Sequence, residues 1–485
     1  MATTLSSTVQ QRRPVEADWH RVFETMEGEH DYVIDEVEGS VPSGLRGTLY
    51  RNGPARNDID GKPFAHLFDG DGMLSQFTID EGRVHYRNRF VRTNHYLAER
   101  GSGRPPMRGF GNQLRGGVLG NALRFPGNVA NTSVTFHAGN LMALWEGGHP
   151  WRLDPDTLET IGDYDFDGRL KGAHAFSAHP KIDPQTGELF NFGVNYGRRT
   201  KINSYRVGRD GRLEYLQPVT LPYPVMNHDF ALTTKHLVFV IDPIIVRVGR
   251  FLLGATSYDG ALHWDPSKTT RILLVPRDGG KPRVAECDPF FHFHVNNAYE
   301  DGSDTVVDLV RYEDYGLGES LRNFSTADFG EQGKLVRLRV TAAGTVDQTD
   351  LCEWKCEFPQ HDWRLTARGH RFSYLAAGPD GGVLARGVAK VDHGSERAAI
   401  HDFGEGEIAG EPIFVPRSPD SAEDDGWLLS LVYSAREHRS RLVVLDARDV
   451  ESDPVAVAHL RHHVPLGFHG TFTERVAQPD HSALA

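Results

Sequence analysis

The sequence predicts an all-β protein. Short apolar segments recur along its 485 residues, and several of them are rich in valine, isoleucine and leucine. Turn-forming clusters separate these segments, and the chain contains 51 glycines and 27 prolines. No long segment shows the apolar period of an amphipathic helix. Many short strands in one long chain indicate a barrel, a large sandwich or a propeller, and periodicity alone does not choose among them.

The predicted strands are short and bounded by turn residues. Val336, Leu338 and Val340 alternate with Arg337 and Arg339, the pattern of a strand with one buried face. The strand-like segments, in chain order, are residues 237–241, 271–275, 305–310, 335–340 and 441–446. Turns that combine glycine with aspartate or proline are predicted at residues 183–187, 209–211, 276–280 and 379–382.

The composition narrows the partners and the compartment. The formal net charge of -13 argues against a nucleic-acid surface, because phosphate binding needs a basic face. The three cysteines, Cys287, Cys352 and Cys356, cannot build a disulfide framework, which fits a reducing compartment. The first residues lack the apolar stretch of a secretory signal, and no apolar run approaches the roughly 18 residues of a spanning helix. We therefore expect a cytoplasmic protein that does not bind nucleic acid.

The chain shows no internal linker that would divide it. No proline- or serine-rich stretch separates one half from the other. The first residues are polar and lack strand-like segments. We therefore predict a polar tail or peripheral segment over residues 1–30, followed by a single domain over residues 31–485.

Four histidines, each at the end of a strand-like segment, are candidate metal ligands: His179, His228, His294 and His469. Neutral imidazole is a common ligand for iron, copper, zinc and nickel. Four such ligands would leave a divalent ion its full charge. The intervals of 49, 66 and 175 residues are too long for a local ligand motif, and the chain has 24 histidines. Spacing alone therefore leaves ordinary core or surface imidazoles as an alternative.

The residues around these histidines occur with other ordered blocks. The blocks are residues 37–54, 68–73, 130–132, 143–148, 356–359, 410–417 and 423–429, with the terminal Phe-His-Gly at 468–470. Together they resemble the carotenoid cleavage oxygenase family, and the bacterial apocarotenoid-cleaving branch in particular, over most of the chain. The resemblance implies a seven-bladed β-propeller with a metal on its axis, capped on one face by loops and short helices.

The resemblance also implies a cofactor and the residues that hold it. Family members bind one non-haem iron(II) per chain on four histidines, which correspond here to His179, His228, His294 and His469. A ligating imidazole normally donates its second N–H to a carboxylate or carbonyl. The family motifs place Glu146, Glu357 and Glu411 in this role, as partners of His228, His294 and His469 respectively. His179 is left without a glutamate partner.

Three further points bear on this proposed centre. The nearly balanced charge of iron(II) and three carboxylates lowers the cost of burying any one of them. His292 shares a strand face with His294 and is the one serious local rival, but the family spacing His-x-x-Asn selects His294, with Asn297. No porphyrin, flavin or nicotinamide motif is present, so we expect no organic cofactor.

A lipophilic substrate would need a dry, elongated passage beside the metal. The family motifs place Phe68, Trp145, Phe293 and Phe358 near the iron, with Thr132 facing an open metal position. Most of the 26 phenylalanines must belong to the ordinary core, and this alternative applies to each of these aromatics. Trp145 stands where the branch that cleaves phenolic stilbenes and phenylpropenes carries a lysine, which disfavours a phenolic substrate.

Residues 242–254 form a candidate membrane-contacting segment. Its apolar side chains could enter a lipid surface while Arg247 and Arg250 meet anionic headgroups. A buried strand explains the same residues equally well. The candidate contact residues are Ile244, Ile245, Val246, Phe251, Leu252 and Leu253. Such a contact would place the protein at the inner face of the membrane, where a lipid-soluble substrate is available.

The leading functional hypothesis is an iron(II) dioxygenase that cleaves a conjugated double bond of a carotenoid or apocarotenoid. Its partners would be a lipophilic polyene and dioxygen, and its products two carbonyl compounds. Cleavage of a stilbene or phenylpropene is an alternative within the same family. A retinoid-type isomerohydrolase would use the same iron without dioxygen. A non-catalytic carotenoid-binding propeller is a further alternative, and the complete set of four histidines and three glutamates argues against it.

Overall fold

A computed structural model describes residues 18–197, 199–326, 329, 333–378 and 384–478 of the chain. The described residues are mainly β-strands joined by short turns. The strands of the first half are β1 (Asp31–Val33), β2 (Val37–Gly39), β3 (Gly47–Arg56), β4 (Asp58–Ile59), β5 (Lys62–Pro63), β6 (Asp71–Asp80), β7 (Arg83–Phe90), β8 (Ser133–His137), β9 (Asn140–Leu144), β10 (Trp151–Leu153), β11 (Thr160–Asp163), β12 (Lys181–Ile182), β13 (Leu189–Asn195), β14 (Lys201–Val207), β15 (Leu213–Tyr215), β16 (Val219–Thr220), β17 (Ala231–Leu232) and β18 (His236–Ile241).

The second half continues the pattern, again with few helical turns. Its strands are β19 (Ile244–Val246), β20 (Leu262–Trp264), β21 (Thr270–Pro276), β22 (Arg283–Cys287), β23 (Phe291–Asp301), β24 (Asp304–Tyr312), β25 (Lys334–Val340), β26 (Val346–Asp350), β27 (Lys355–Gln360), β28 (Phe372–Gly378), β29 (Gly387–Asp392), β30 (Arg397–Asp402), β31 (Glu407–Ala409), β32 (Ile413–Pro416), β33 (Gly426–Ser434), β34 (Arg439–Asp446), β35 (Ala456–His459) and β36 (Gly470–Thr473).

The strands form a seven-bladed β-propeller, as expected. In chain order the blades are β1-β7-β6-β3-β36, β11-β10-β9-β8, β12-β13-β14-β15 with β16, β17-β18-β21-β22, β23-β24-β25-β26, β27-β28-β29-β30, and β2-β35-β34-β33-β31 with β32. Two short ribbons, β4-β5 and β19-β20, lie outside the blades. All the ladders are antiparallel, and consecutive strands of a blade are usually joined by a tight turn.

The two ends of the described chain close the ring. β36 pairs with β3 in the first blade, so the last strand completes the sheet that the first residues begin. β2 pairs with β35 at the outer edge of the seventh blade. Each closure joins strands that are more than 400 residues apart. Ring closure therefore holds the axis together without a disulfide, and the three cysteines are free thiols.

The strand predictions from the sequence are confirmed. Each of the five predicted segments lies within one strand, in β18, β21, β24, β25 and β34. In β25 the side chains of Val336, Leu338 and Val340 are buried, whereas Arg337 and Arg339 are partly exposed. Apolar faces of adjacent blades pack together, as where the Phe192 ring lies 5.4 Å from both Phe230 and Phe239. This inter-blade packing supplies the core.

Short helices and 3₁₀ turns connect some of the strands. The α-helices are α1 (Asn94–Ser102), α2 (Gly117–Asn121), α3 (Val248–Leu252) and α4 (Gly316–Ser320), and the 3₁₀ turns span Trp19–Phe23, Leu67–Asp69, Asp259–Ala261 and Trp363–Leu365. Residues of two of these elements, Phe68 and Leu317, share a pocket lining with axial histidines. None of the helices among the described residues is long and apolar enough to cross a membrane.

Part of the segment predicted as a polar tail or peripheral segment packs against the propeller. Val22 and Phe23 are buried, and the Phe23 ring packs 5.4 Å from Phe324 and 5.6 Å from Phe329. The backbone N–H of Leu466 donates to the carbonyl of Val22, which ties this segment to the C-terminal part of the chain. Residues 18–30 therefore belong to the propeller domain, because their apolar side chains complete its core. Residues 1–17 lie outside the described part of the chain.

Candidate metal centre

Four histidines from four blades meet at the axis. His294 lies within β23, His228 and His179 precede the innermost strands β17 and β12, and His469 immediately precedes β36. All four are buried. Their candidate ligand nitrogens lie within 4.8 Å of one another. The propeller thus brings together residues that are separated by up to 290 positions in the chain, since the innermost parts of its blades face a common axis.

The spacing of the nitrogens fits a single metal ion. His179 Nε2 lies 2.9 Å from His228 Nε2, and His294 Nε2 lies 3.0 Å from His469 Nε2. Two imidazole nitrogens that each bind one ion at about 2.1 Å are about 3.0 Å apart when they occupy adjacent positions. Four Nε2 atoms turned inward at these distances are therefore suited to hold one transition-metal ion.

The protein environment favours the neutral form of His179, His228 and His469. Burial, together with the neighbouring histidines, lowers the pKa of His179 and of His228 well below the ordinary value. Burial also lowers the pKa of His469, although Glu411 opposes this effect. A neutral imidazole retains the nitrogen lone pair that a metal requires.

The other three blades each supply a glutamate beside the histidines. Glu146 follows β9 in the second blade, Glu357 lies in β27 of the sixth, and Glu411 lies between β31 and β32 of the seventh. Every one of the seven blades therefore contributes one residue of the histidine–glutamate set. The sequence motifs indicated the residues, and the propeller explains why they are spread so evenly along the chain.

Glu357 orients His294. Its Oε2 accepts from His294 Nδ1 at 2.5 Å and from the Phe358 backbone N–H at 2.5 Å, and its Oε1 accepts from the Tyr312 hydroxyl at 2.8 Å. Burial raises the pKa of Glu357, but His294 and these donors outweigh it and hold the pKa below the ordinary value. The carboxylate therefore fixes the Nδ1–H tautomer and leaves Nε2 of His294 free to face the centre.

Glu411 is held by donors on both oxygens. Its Oε1 accepts from His469 Nδ1 at 2.9 Å and from Gln360 Nε2 at 2.8 Å. Its Oε2 accepts from Arg51 Nη1 at 2.6 Å and from the Gly470 backbone N–H at 2.8 Å. Burial raises its pKa, but the opposing effects of His469, Arg51 and the Gly470 N–H lower it to about 2. Glu411 is thus a buried carboxylate fully paired with donors.

Arg51 was not anticipated from the sequence. It lies in β3 within one of the matching sequence blocks, and its side chain is 5% exposed beside a Glu411 side chain that is 1% exposed. A further donor, Nη2, reaches the carbonyl of Phe468 at 3.1 Å. The guanidinium compensates one of the three carboxylates, so a divalent ion and Arg51 together balance all three glutamates. The charge count from the sequence had three negative charges on the glutamates and two positive charges on iron(II). The one unbalanced negative charge is the signal that could have indicated a nearby cation.

Glu146 is held more loosely than the other two glutamates. Its Oε1 lies 3.3 Å from His228 Nδ1 and 3.8 Å from His179 Nε2. Burial and the nearby Asp229 raise the pKa of Glu146 well above the ordinary value. A divalent ion held by the histidines would favour the charged carboxylate, since the charge of a bound ion dominates local ionisation. Glu146 approaches His228 as expected, and it also approaches His179.

His292, the rival of His294, is directed elsewhere. Its Nδ1 and its backbone N–H both donate to Asp242 Oδ2, at 2.8 and 2.9 Å. The ladder between β23 and β24 is irregular between His292 and Val295, so simple alternation no longer places His292 and His294 on one face. The local bulge therefore separates two histidines that strand parity alone had grouped.

A second cluster of potential ligands has its own explanation. Asp308, His370 and His393 also bring ligand atoms within 4.8 Å of one another. Asp308 accepts two bonds from Arg337, both at 2.7 Å, and Ser373 Oγ lies 2.8 Å from His393 Nε2. The guanidinium already supplies the positive charge that the carboxylate requires. This cluster is accounted for as a buried hydrogen-bonded network of the propeller core.

An apolar pocket opens beside the histidines, with an empty volume of about 890 Å³. His228, His294 and His469 form part of its wall. Four of the predicted passage residues, Phe68, Thr132, Phe293 and Phe358, are in the lining, together with apolar side chains such as Leu67, Leu317, Leu321, Phe329, Leu384, Ile408, Leu466 and Phe468. Trp145 is buried but lies outside this lining. The pocket therefore offers an apolar molecule access to the imidazoles.

Two of the sequence blocks that carry the family resemblance position the pocket wall through hydrogen bonds and close backbone packing. Asn131 Nδ2 donates to the carbonyls of Phe68 and Gly70, at 3.1 and 2.7 Å. Thr132 follows directly, so one side chain fixes the turn that carries Phe68 next to the backbone that carries Thr132. A Cβ on Gly72 would lie 2.3 Å from the carbonyl oxygen of Ala130, which explains the glycine in that block. Such close backbone packing holds the pocket wall rigid.

Phe358 adopts an unusual backbone conformation beside the centre. Its φ is 53°, in the left-handed region that non-glycine residues rarely occupy. This conformation turns its backbone N–H to Glu357 and places its ring 5.4 Å from that of His294 in a stacked arrangement. No sequence pattern predicts this conformation, because the residue is not a glycine. Backbone strain of this kind is typical of functional sites.

The predicted membrane segment lies mostly in the core. Ile244 and Val246 belong to β19 and are 0% and 3% exposed, and Phe251 is 6% exposed. Ile245 and Leu252 are partly buried. Only Leu253 of the predicted set is exposed, at 65%. The prediction of lipid contact is therefore wrong for Ile244, Val246 and Phe251, since the first two in β19 and the third in α3 pack their side chains inward.

A different apolar surface adjoins that segment. Val118, Leu119, Leu123 and Phe125 are exposed on and after α2. The buried Arg108 joins the two regions, because its Nη1 donates to the carbonyls of Asn121, Arg124 and Phe251 at 3.1, 2.9 and 3.1 Å. The Leu123 backbone N–H donates to the Leu252 carbonyl at 2.8 Å. We call this surface, composed of Val118, Leu119, Leu123, Phe125 and Leu253, the apolar cap patch.

Comparisons with known proteins agree with the fold. Residues 23–474 match the family model described as retinal pigment epithelial membrane protein. Apocarotenoid-15,15'-oxygenase of Synechocystis is 36% identical, with 97% of this chain and 99% of the relative covered. Isoeugenol monooxygenase of Pseudomonas putida is 32% identical, over 91% of this chain and 94% of the relative.

A solved structure extends the comparison to three dimensions. The cobalt-substituted Synechocystis apocarotenoid oxygenase superimposes with a TM-score of 0.88 at 36% identity, with 94% of this chain and 98% of that chain covered. The family match and these full-length similarities cover the blades that carry all four histidines and all three glutamates. The chain therefore belongs to the carotenoid cleavage oxygenase family.

Proposed function

We propose that this protein is an iron(II)-dependent dioxygenase that cleaves a conjugated C=C bond of an apocarotenoid. One alkene and one dioxygen molecule give two carbonyl products, with one oxygen atom in each, so no external reductant is needed. The observation that carries the proposal is the convergence of four imidazoles, three of which form part of the wall of an apolar pocket. An apolar polyene matches that lining, and the imidazoles offer the ligand set that ferrous iron accepts.

In this proposal the four histidines hold one iron(II) ion per chain, and iron, when bound, supplies the activation of dioxygen. Glu357 and Glu411 keep the Nδ1 protons of His294 and His469 on the outside, so each Nε2 lone pair faces the centre. Glu146 lies near His228, with its Oε1 3.3 Å from Nδ1, but makes no hydrogen bond to it in this structure. The chain thus contributes fixed tautomers and a balanced charge, and it needs no organic cofactor.

The pocket residues would position the polyene and exclude water. Phe68, Phe293 and Phe358 present aromatic surface, and Thr132 places a small side chain beside the histidines. The Thr132 hydroxyl is 3.2 Å from Asn131 Oδ1, so it is already hydrogen-bonded within the protein. We assign Trp145 a supporting role behind the pocket, because its side chain is buried directly before Glu146. Excluding water strengthens the electrostatic interactions at the centre.

A phenylpropene is the second candidate substrate class, because isoeugenol monooxygenase of Pseudomonas putida is 32% identical over most of the chain. Phenolate recognition would need a cation or a set of donors in the pocket. The lining is apolar, and the Tyr312 hydroxyl at its wall is committed to Glu357 at 2.8 Å. Trp145 stands where the phenol-cleaving branch carries lysine. These observations favour the apolar polyene.

The substrate preference is directly testable. We expect the kcat/KM of the iron-loaded protein for an apocarotenal to exceed that for resveratrol by at least about tenfold, which corresponds to ~1.4 kcal/mol. The polyene gains from apolar burial, whereas a phenol without a cationic partner forgoes a contact worth about 1.5–3 kcal/mol. Product masses after reaction under ¹⁸O₂ measure both cleavage and the origin of the oxygen atoms.

Trp145→Lys is the informative variant for this preference. It restores the cation of the phenol-cleaving branch and should shift the ratio of the two efficiencies toward resveratrol. Efficient cleavage of resveratrol by the unaltered protein, without turnover of any apocarotenal, would contradict the proposed substrate. Conversion of a retinoid ester without incorporation of ¹⁸O would instead identify an isomerohydrolase.

We further propose that the apolar cap patch contacts a membrane surface. Leu119, Leu123 and Phe125 are 92%, 75% and 67% exposed, an unusual concentration of large apolar side chains. The exposed Arg115, Arg124, Arg247 and Arg250 lie on the same two segments and can meet anionic headgroups. A lipid-soluble substrate would then enter from the bilayer without crossing water. For a cytoplasmic protein, as the sequence leads us to expect, this contact would be with the inner face of the membrane.

Replacing Leu119 and Phe125 together by serine should weaken binding to phosphatidylcholine–phosphatidylglycerol vesicles by at least about tenfold. Each large apolar side chain contributes up to about 1.5–3 kcal/mol when fully buried, and partial insertion retains a fraction of this. Vesicle flotation measures the bound fraction. Ile161 and Val284, 55% and 45% exposed on outer blade strands, are matched control positions. An equal loss for the control pair would refute the assignment of the patch.

A further inference from the structure

Asp229 connects three of the four histidine-bearing segments. It follows His228 directly, and its Oδ2 accepts from the backbone N–H of Val295, the residue after His294, at 2.8 Å. Its Oδ1 lies 2.9 Å from Nζ of Lys181, which is two residues after His179. The same Oδ1 accepts from the Phe230 backbone N–H at 2.7 Å. One carboxylate therefore spans the third, fourth and fifth blades next to the axis.

The hydrogen bond from the Val295 N–H to Asp229 lies at an irregularity in strand β23. The ladder between β23 and β24 shifts register on both sides of Val295, between His292 and Val295 and between Val295 and Asn297. Such an irregularity turns a strand and re-aims its side chains. It also diverts a backbone N–H from regular pairing, and a buried N–H requires an acceptor. Asp229 supplies that acceptor, so the bend that directs His294 inward is anchored on the segment of His228.

The pairing with Lys181 makes this arrangement stiff. Asp229 is 1% exposed and Lys181 is 20% exposed, so the ion pair is largely shielded from water. A buried carboxylate with a cation and two N–H donors strongly resists displacement. Lys181 belongs to β12, directly after the segment that carries His179. A shift of any of the three segments would strain this shared set of bonds.

We propose that Asp229 is a positioning residue that sets the mutual placement of His179, His228 and His294, and thereby the metal affinity of the centre. The inference rests on the proposed metal-binding function of these histidines. Asp229 itself is not required to touch the metal, the substrate or dioxygen. Groups that orient metal ligands typically change affinity by roughly 10- to 100-fold when they are altered.

The contacts of Asp229 require a carboxylate. Each of its oxygens faces donors: the Phe230 N–H and Lys181 on one side, the Val295 N–H on the other. Asparagine has the same shape but only one acceptor oxygen, so its amide N–H₂ would face a donor in either orientation. Asp229→Asn therefore disrupts the connection with little change in volume.

The test uses the full-length protein with cobalt(II) as the probe. Titration followed by the visible absorption bands of bound cobalt gives the dissociation constant and reports the coordination geometry. We expect Asp229→Asn to weaken cobalt binding by at least about tenfold and to alter the spectrum. Binding is measured well below the unfolding temperature of each variant, so a loss of global stability alone leaves both readouts unchanged.

Asp362 provides a matched control. It is 1% exposed, it pairs with Arg364 at 2.6 Å, and it accepts the Arg364 backbone N–H at 3.0 Å. It lies in the sixth blade, which carries none of the four histidines. Asp362→Asn should therefore lower the unfolding temperature as Asp229→Asn does, while the cobalt affinity and spectrum remain those of the unaltered protein.

The outcomes separate this inference from the proposed function. If the unaltered protein binds no cobalt, the metal centre itself is refuted and the role of Asp229 with it. If the unaltered protein binds cobalt and Asp229→Asn binds it equally with an identical spectrum, only the positioning role is refuted. Should Asp229→Asn not fold, Lys181→Met, which removes one of the three donors, should still weaken binding by about threefold or more, and an unchanged affinity would refute the inference.

Discussion

His294→Ala should remove iron binding and apocarotenal cleavage together, whereas His292→Asn should retain both. The His294 Nε2 lies 3.0 Å from His469 Nε2 within the cluster, so alanine deletes one of four ligands. The loss should exceed the roughly 100-fold that orienting groups contribute, because a ligand itself is removed. Iron per chain after anaerobic reconstitution, and cleavage rates measured on the same samples, test the expectation.

The control is chosen to preserve the bond that His292 makes. Its Nδ1 donates to the buried Asp242, and an asparagine amide nitrogen can take the place of that donor. His292→Asn therefore avoids leaving Asp242 unpaired, a defect that would confuse folding with metal binding. Iron retained by His294→Ala but lost by His292→Asn would reverse the assignment of the two histidines.

The sequence predicted the all-β character from physical patterns alone. The alternation of Val336, Leu338 and Val340 with arginines lies in β25 as expected, because a half-buried strand imposes that period. Periodicity could not distinguish a propeller from a sandwich or barrel, since all three use similar strands. The ring is defined by pairings such as β36 with β3, which join distant residues. Family resemblance supplied this long-range information.

The residues of the candidate centre were likewise identified from the family resemblance and not from local physical patterns. His179, His228, His294 and His469 were chosen through sequence blocks, because their long intervals follow from the spacing of blades and carry no local signal. Strand parity grouped His292 with His294, and the bulge in β23 separates them. A bulge of this kind depends on an acceptor from another blade, so local sequence cannot predict it.

Charge and burial account for the remaining differences. Arg51 was missed because its partner Glu411 lies 360 positions away, and no local pattern links them. For Ile244 and Val246 the sequence left lipid contact and a buried strand as equal alternatives, because apolar residues look alike whether they face lipid or core. The exposed patch lies instead at Leu119, Leu123 and Phe125, where apolar side chains stand between exposed arginines. Exposure follows from packing, which the sequence does not display.

Glu411→Gln should lower the free energy of unfolding by about 3–5 kcal/mol and weaken metal binding as well. The change leaves the Arg51 guanidinium, 5% exposed, without its anionic partner. All four groups around Glu411 are donors: His469 Nδ1, Gln360 Nε2, Arg51 Nη1 and the Gly470 N–H. An amide offers one oxygen and an N–H₂ group, so one side must oppose two donors. Chemical denaturation and cobalt titration measure the two effects.

Arg51→Met and the double variant complete the argument. Arg51→Met leaves the Glu411 carboxylate without its cation and should lower the free energy of unfolding by a similar amount. The double variant should lower it by less than the sum of the two single changes, because neither charge is left alone. Arg46→Met is the control: Arg46 and Asp80 pair at 2.9 Å but are 61% and 40% exposed, so at most about 1 kcal/mol is expected. Strict additivity, with single losses as small as the control, would show that the Arg51–Glu411 pair does not balance charge at the axis. A large coupling accompanied by loss of cobalt binding only in the variants that alter Glu411 would instead divide the two roles, with Arg51 stabilising the carboxylate and the carboxylate orienting His469.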